Sequence, residues 1–148
     1  MIRTTHVLRS ITCAAALLVP AIVASAETLH FKAELKGASE VPAKDTAGTG
    51  TLTATLDTAT NEFKYHVEYS GLTGPVVAAH FHGPAAAATN ARPTVPVKIS
   101  PIVSPIDGTA TLTLEQIKDL EDGKWYFNLH TGANPSGEVR GQVQKSEE

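Results

Sequence analysis

The chain has 148 residues, of which 42% are hydrophobic and 18% charged, with a formal net charge of −3. No basic stripe runs along it, which excludes the electrostatic footprint of a nucleic-acid binder. Its single cysteine, Cys13, lies near the N-terminus, so the remainder offers neither a disulfide nor a thiolate ligand.

Arg3, His6 and Arg9 precede an apolar run from Ile11 to Ala24, and Ala24-Ser25-Ala26 follows as a small-residue cleavage signature. This pattern predicts a secretory signal peptide over residues 1–26. A transmembrane helix fits poorly, because the run is short and Pro20 interrupts it. The expectation is an exported protein, periplasmic or secreted, with no membrane attachment after cleavage and one domain over residues 27–148. Without Arg3 and Arg9 that domain has ten basic residues against fifteen acidic ones, a net charge of −5.

Period-2 alternation dominates the rest. Residues 28–36 place Leu29, Phe31, Ala33 and Leu35 on one face and His30, Lys32, Glu34 and Lys36 on the other. A long loop over 37–48 follows. Residues 49–57 alternate Leu52, Ala54 and Leu56 with threonines, and 62–70 alternate Phe63, Tyr65, Val67 and Tyr69 with Lys64, His66 and Glu68. The short segment Asp57 to Asn61 between them reads as a hairpin turn. Residues 76–82 predict a fourth strand. After Gly83-Pro84 and an alanine-rich loop, 95–100 predicts a fifth at a sheet edge, since Pro96 cannot donate to a ladder. Residues 108–114 predict a sixth.

Thr113 with Gln116 fits a capping box and Gly123 a C-terminal stop, so a short helix is expected between them. Residues 124–131 and 137–144 predict the last two strands, joined by the turn Asn134-Pro135-Ser136-Gly137. About eight short strands with one short helix predict an all-β fold. An antiparallel Greek-key β-sandwich is the first expectation and a small closed barrel the alternative.

The sharpest chemical signal is histidine placement. His80 and His82 stand at i and i+2, so on a strand both project to one face with Cα atoms ~6.5–7 Å apart. Tilted imidazoles can close that gap onto one ion at about 2.0–2.1 Å. His130 ends the run Trp125-Tyr126-Phe127-Asn128-Leu129-His130, where it shares a face with Tyr126 and Asn128. The three histidines form a metal site if their strands are neighbours. Lacking thiolates, such a site suits copper first and zinc second. Asn128 and Glu138 are candidates to fix an imidazole tautomer from behind, although ordinary strand polarity accounts for them equally well. His66, between Lys64 and Glu68, is the remaining candidate for an extra ligand, and His30 sits with lysines on the polar face of the first strand. Arg140, in Gly137-Glu138-Val139-Arg140-Gly141-Gln142, is either, like Glu138, a charge on an edge strand paired across to a neighbour, or a guanidinium that draws an anion to the cleft.

The segments Tyr69-Ser70-Gly71-Leu72, Ala79-His80-Phe81-His82-Gly83-Pro84-Ala85, Trp125 to Thr131 and Asn134 to Gln142 together closely resemble the CHRD family, named for a domain of chordin, from about Leu29 to Val143. The resemblance implies an exported all-β domain and says little about activity. In chordin the domain belongs to an extracellular protein that binds growth factors, a role that does not carry over to a single-domain chain. A weaker likeness is to copper-zinc superoxide dismutases, also Greek-key sandwiches with an H-x-H pair, a later histidine ligand and an arginine near the end. By that likeness His80, His82 and His130 would hold copper and Arg140 would guide superoxide. The bridging histidine, the zinc loop and the disulfide cysteines are missing, so only a copper-only version survives. The competing expectation is a non-catalytic extracellular binding or adhesion module that holds no cofactor.

Overall fold

A computed structural model describes residues 26–147. The leader expected over residues 1–26 lies, apart from Ala26, outside the described residues. The elements run β1 (Thr28–Lys36), β2 (Thr49–Asp57), β3 (Glu62–Ser70), β4 (Val76–His82), β5 (Pro93–Pro96), β6 (Ile106–Thr111), α1 (Leu114–Glu121), β7 (Trp125–Thr131) and β8 (Val139–Ser146). A single 3-10 turn, Gly37–Ser39, interrupts the long loop after β1.

The eight strands form one antiparallel sheet in the order β5-β4-β7-β8-β1-β2-β3-β6. The connections from β3 to β4 and from β6 to β7 cross between its two halves, as Greek-key connections do. Register follows from the apolar alternation. Phe31 stands opposite Ala54, and Ala54 opposite Tyr65, so the inward faces of β1, β2 and β3 coincide residue by residue. Between β2 and β3 the Asp57 carboxylate accepts from the backbone N–H groups of Ala59 at 2.8 Å and Thr60 at 3.0 Å. Asn61 takes the left-handed conformation, φ 59°, which asparagine tolerates better than most residues.

The sheet curls until its ends face each other. Phe81 of β4 packs edge-on against Phe63 and Tyr65 of β3, with ring centroids 5.2 and 5.0 Å away, although four strands lie between β4 and β3 in the sheet order. Trp125 and Phe127 of β7 complete this aromatic centre at 6.0 and 4.8 Å from Phe81. The outcome joins the two expected architectures: a sandwich-like core inside one nearly closed sheet. Full burial of an aromatic such as Phe81 contributes roughly 1.5–3 kcal/mol.

Thr113 caps α1 as its sequence predicts. Its hydroxyl accepts from Gln116 N–H at 3.2 Å, and the Gln116 side chain accepts from Thr113 N–H at 2.9 Å. Gly123, at φ 67°, ends the helix, and Leu120 is buried beneath it. Among the described residues no helix is long and apolar enough to cross a membrane.

Four expectations shift. β5 and β6 begin two residues early, because Pro93 pairs with His82 and Ile106 pairs with Val67. β8 starts at Val139, since Gly137 at φ 122° cannot join a ladder. β8 is also interior rather than an edge, paired with β7 on one side and β1 on the other. Finally, every residue of β7 is buried, not only those of one face. The loop after β4 folds back over the outward face of β4, β7 and β8, with Ala85 N–H donating to Lys124 C=O at 2.8 Å and Gln142 Nε2 donating to Ala85 C=O at 3.0 Å.

Candidate metal centre

β4 and β7 are adjacent and antiparallel, so their outward faces merge. Ala78 stands opposite His130, His80 opposite Asn128, and His82 opposite Tyr126. Phe81 and Phe127, the inward residues between them, bury into the core and hold the histidines outward. The strand period thus sets His80 and His82 on one face, and the pairing register adds His130 to it.

The ligand-capable nitrogens of His80, His82 and His130 all lie within 4.8 Å of one another. His80 Nδ1 and His130 Nε2 are 3.2 Å apart. Two nitrogens bound to one tetrahedral ion at 2.0–2.1 Å stand about 3.3 Å apart, so this pair already has the spacing an ion requires. The imidazole centroids are separated by 5.5 Å for His80 and His82, 5.1 Å for His80 and His130, and 6.2 Å for His82 and His130.

Two of the rings are oriented from behind. His82 Nδ1 donates to Ala91 C=O at 2.9 Å, and His130 Nδ1 donates to Pro135 C=O at 3.0 Å. Each bond places the proton on Nδ1 and leaves the Nε2 lone pair for a ligand bond. His82 is 7% exposed, yet its Nε2 has no hydrogen-bond partner. A buried ring nitrogen without a partner is costly in a finished structure and fits a position awaiting a cation.

Burial lowers the pKa of His80, and the neighbouring His130 and His82 add to the effect. Burial also lowers the pKa of His82, against the opposing influence of the Ala91 carbonyl and of Asn128. Both shifts favour neutral imidazole, the form that binds metal.

A stack supports His82 on the other side. The Tyr126 ring lies parallel to the imidazole, 4.6 Å between centroids and 5° between planes, and the Arg140 guanidinium sits 3.3 Å from the Tyr126 centroid. Arg140 donates to Asn90 Oδ1 at 3.0 Å and to Thr89 C=O. Tyr126 O–H donates to Ala91 C=O at 3.3 Å, so that carbonyl receives both Tyr126 and His82. Arg140 is only 1% exposed. It therefore departs from both sequence expectations: it is not a charge paired across an exposed edge strand, nor does it stand free to attract an anion, because it is buried, its two terminal nitrogens hold residues 89–90 and its face lies on Tyr126.

Glu138 also sits elsewhere than expected. Its carboxylate accepts from the hydroxyls of Thr46 at 2.7 Å, Thr73 at 2.6 Å and Thr131 at 2.6 Å, and from Thr73 N–H at 2.8 Å, and it touches no histidine. It ties together the loops before β2 and before β4. Burial alone would raise its pKa, but the hydrogen bonds from Thr131, Thr73 and Thr46 win and hold it at about 2. His66 lies outside the three-histidine group, on β3, where its Nδ1 is 2.7 Å from Asp107 Oδ1. Asn128 is 2% exposed and stands between His80 on β4 and Arg140 on β8.

Sequence reasoning missed Glu40, which is 6% exposed and packs beside Asn128 across Gly137. It lies in the irregular 37–48 loop, where no periodicity marks a buried carboxylate. The Ala91 carbonyl was equally invisible, because a backbone group in an alanine-rich loop has no sequence signature.

The model of the CHRD domain matches residues 31–143. The chain belongs to the CHRD domain family. No curated protein and no solved structure matches it. The CHRD match runs from within β1 to within β8 and so includes all three histidines together with Tyr126, Asn128 and Arg140.

Proposed function

We propose that this CHRD domain binds one transition-metal ion through His80, His82 and His130, and that the ion is copper. One observation carries the reading: three imidazoles converge within 4.8 Å, and two of them are held by backbone carbonyls in the tautomer that frees Nε2. Copper is favoured over zinc because the donors are imidazoles without thiolate, and because Cu(II) binds most tightly in the divalent series. A three-imidazole site leaves a position for an exogenous group. His80, the least buried of the three, borders that position, and redox exchange there is the activity we assign. The leader pattern of residues 1–26 supports a periplasmic or secreted setting.

Superoxide dismutation is the less favoured extension, since Arg140 is engaged with residues 89–90 and is not presented to an incoming anion. The test is metal loading of the purified protein. The wild type should take up one equivalent of Cu(II) with a paramagnetic spectrum of three-nitrogen coordination. His80→Ala, His82→Ala and His130→Ala should each weaken binding at least a hundredfold. Unchanged binding in all three variants overturns the site. A wild type that takes up no ion favours the non-catalytic binding module.

A further inference from the structure

Three buried side-chain atoms among the described residues have no hydrogen-bond partner: His82 Nε2, Asn128 Oδ1 and Glu40 Oε1. They belong to one neighbourhood. Asn128 neighbours His82 on the shared outward face and lies close enough to hydrogen-bond it. On its other side, Asn128 Nδ2 and Glu40 Oε1 both crowd the space above Gly137, where a Cβ would collide with each. The amide therefore has its nitrogen arm toward the carboxylate, which leaves its oxygen arm toward His82.

That arrangement sets two lone pairs side by side. His82 Nδ1 is committed to the Ala91 carbonyl, so Nε2 is an acceptor, and Asn128 Oδ1 is an acceptor as well. Two buried acceptors facing one another repel unless a cation, or a water bound to one, lies between them. We propose that Asn128 Oδ1 supplies an oxygen position to the three-histidine centre, either on the ion or on its bound water, and that Glu40 is the positioning residue that turns the amide. This inference rests on the three-histidine reading and gives the site a harder donor than imidazole alone. Amide oxygen suits Cu(II) and Zn(II) better than Cu(I).

The test separates oxidation states. In the full protein, Asn128→Leu should weaken Cu(II) binding about tenfold and leave Cu(I) binding unchanged. The copper reduction potential should then rise by about 59 mV, the equivalent of tenfold for one electron. Glu40→Leu, which touches no ligand nitrogen, should move the potential in the same direction by less. A structural role alone would weaken both oxidation states together and leave the potential where it was. Should Asn128→Leu fail to fold, Asn128→Asp with Glu40→Gln puts a charged oxygen in the same place without pairing two carboxylates, and it should tighten Cu(II) and lower the potential. Wild-type potential in all folded variants overturns the role of Asn128 and Glu40 while the histidine site stands. Loss of copper from the wild type itself, or its retention in all three histidine variants, overturns both.

Discussion

His80 Nδ1 and His130 Nε2 lie 3.2 Å apart although 50 residues separate them in the chain. Adjacency of β4 and β7 makes the pair, and the Ala78–His130 register aligns it. The geometry of the site is thus a property of strand pairing, and its supports are testable one by one.

Arg140 is expected to act through the loop it holds. Arg140→Ala removes donors to Asn90 and Thr89 and the cation over Tyr126, and so loosens the carbonyl of Ala91 that orients His82. Copper affinity should fall about 10–100-fold, the usual scale for a group that orients a ligand from behind. Arg140→Lys should recover little, because an ammonium lacks the planar fork that reaches two acceptors while stacked. Isothermal titration with Cu(II) reads the affinity, and wild-type binding by Arg140→Ala would refute the mechanism.

Glu138 makes the fold acid-sensitive. Its folded pKa of about 2 lies below the ordinary 4.5, so the carboxylate stabilises the native state at pH above 4.5 and that contribution is lost as pH falls toward 2. Glu138→Gln should flatten the stability profile over that window. It should also lower stability near neutral pH by about 2–3 kcal/mol, the scale of hydrogen bonds to a charged group. Urea unfolding at a series of pH values measures both, and an unchanged slope between pH 4.5 and 2 would contradict the assignment.

Gly137 is expected to tolerate no side chain. At φ 122° the backbone occupies a region that L-residues avoid, and a Cβ would collide with Glu40 and Asn128. Gly137→Ala should cost about 1–3 kcal/mol from backbone strain. Because it also displaces Asn128, copper binding should weaken in the protein that remains folded. Thermal melts and metal titration on the same preparation test the two effects.

His66 provides the control. It is exposed, bonded to Asp107 and outside the histidine cluster. His66→Ala should leave copper stoichiometry and affinity unchanged and alter stability by less than about 1 kcal/mol, as befits a surface pair. A drop in stoichiometry would bring back His66 as a ligand.

Phe81 links core to site. It is fully buried between His80 and His82 in sequence and meets Phe63, Tyr65, Trp125 and Phe127. Phe81→Ala should cost about 3–5 kcal/mol, whereas Val77→Ala, 62% exposed on the same strand, should cost almost nothing. Chemical denaturation distinguishes the two.

Much of this was legible in the residues. The bounds of β1, β2, β3 and β4 match their apolar alternation, and the capping box of Thr113 and Gln116 forms as read. The alternation His80-Phe81-His82 sets both histidines on one face without reference to the rest of the chain. What it left open was everything that depends on a distant partner. Glu138 read as a histidine's partner or as ordinary strand polarity, and it holds threonines; Arg140 read as an edge-strand charge or as an anion guide, and it holds a loop. Both lie beside β7 through long-range pairing, and local pattern carries no record of which groups that pairing will bring near.

The sequence by itself therefore determined the strands, their inward faces and the chemistry of the donors, because side-chain period and ligand type are local properties. Only the tertiary structure decided that β4 and β7 adjoin, that the loop after β4 closes over the site, and that Glu40 and Asn128 meet across Gly137. Those are consequences of one curled sheet burying one core, and the free energy that selects them belongs to the whole chain rather than to any segment of it.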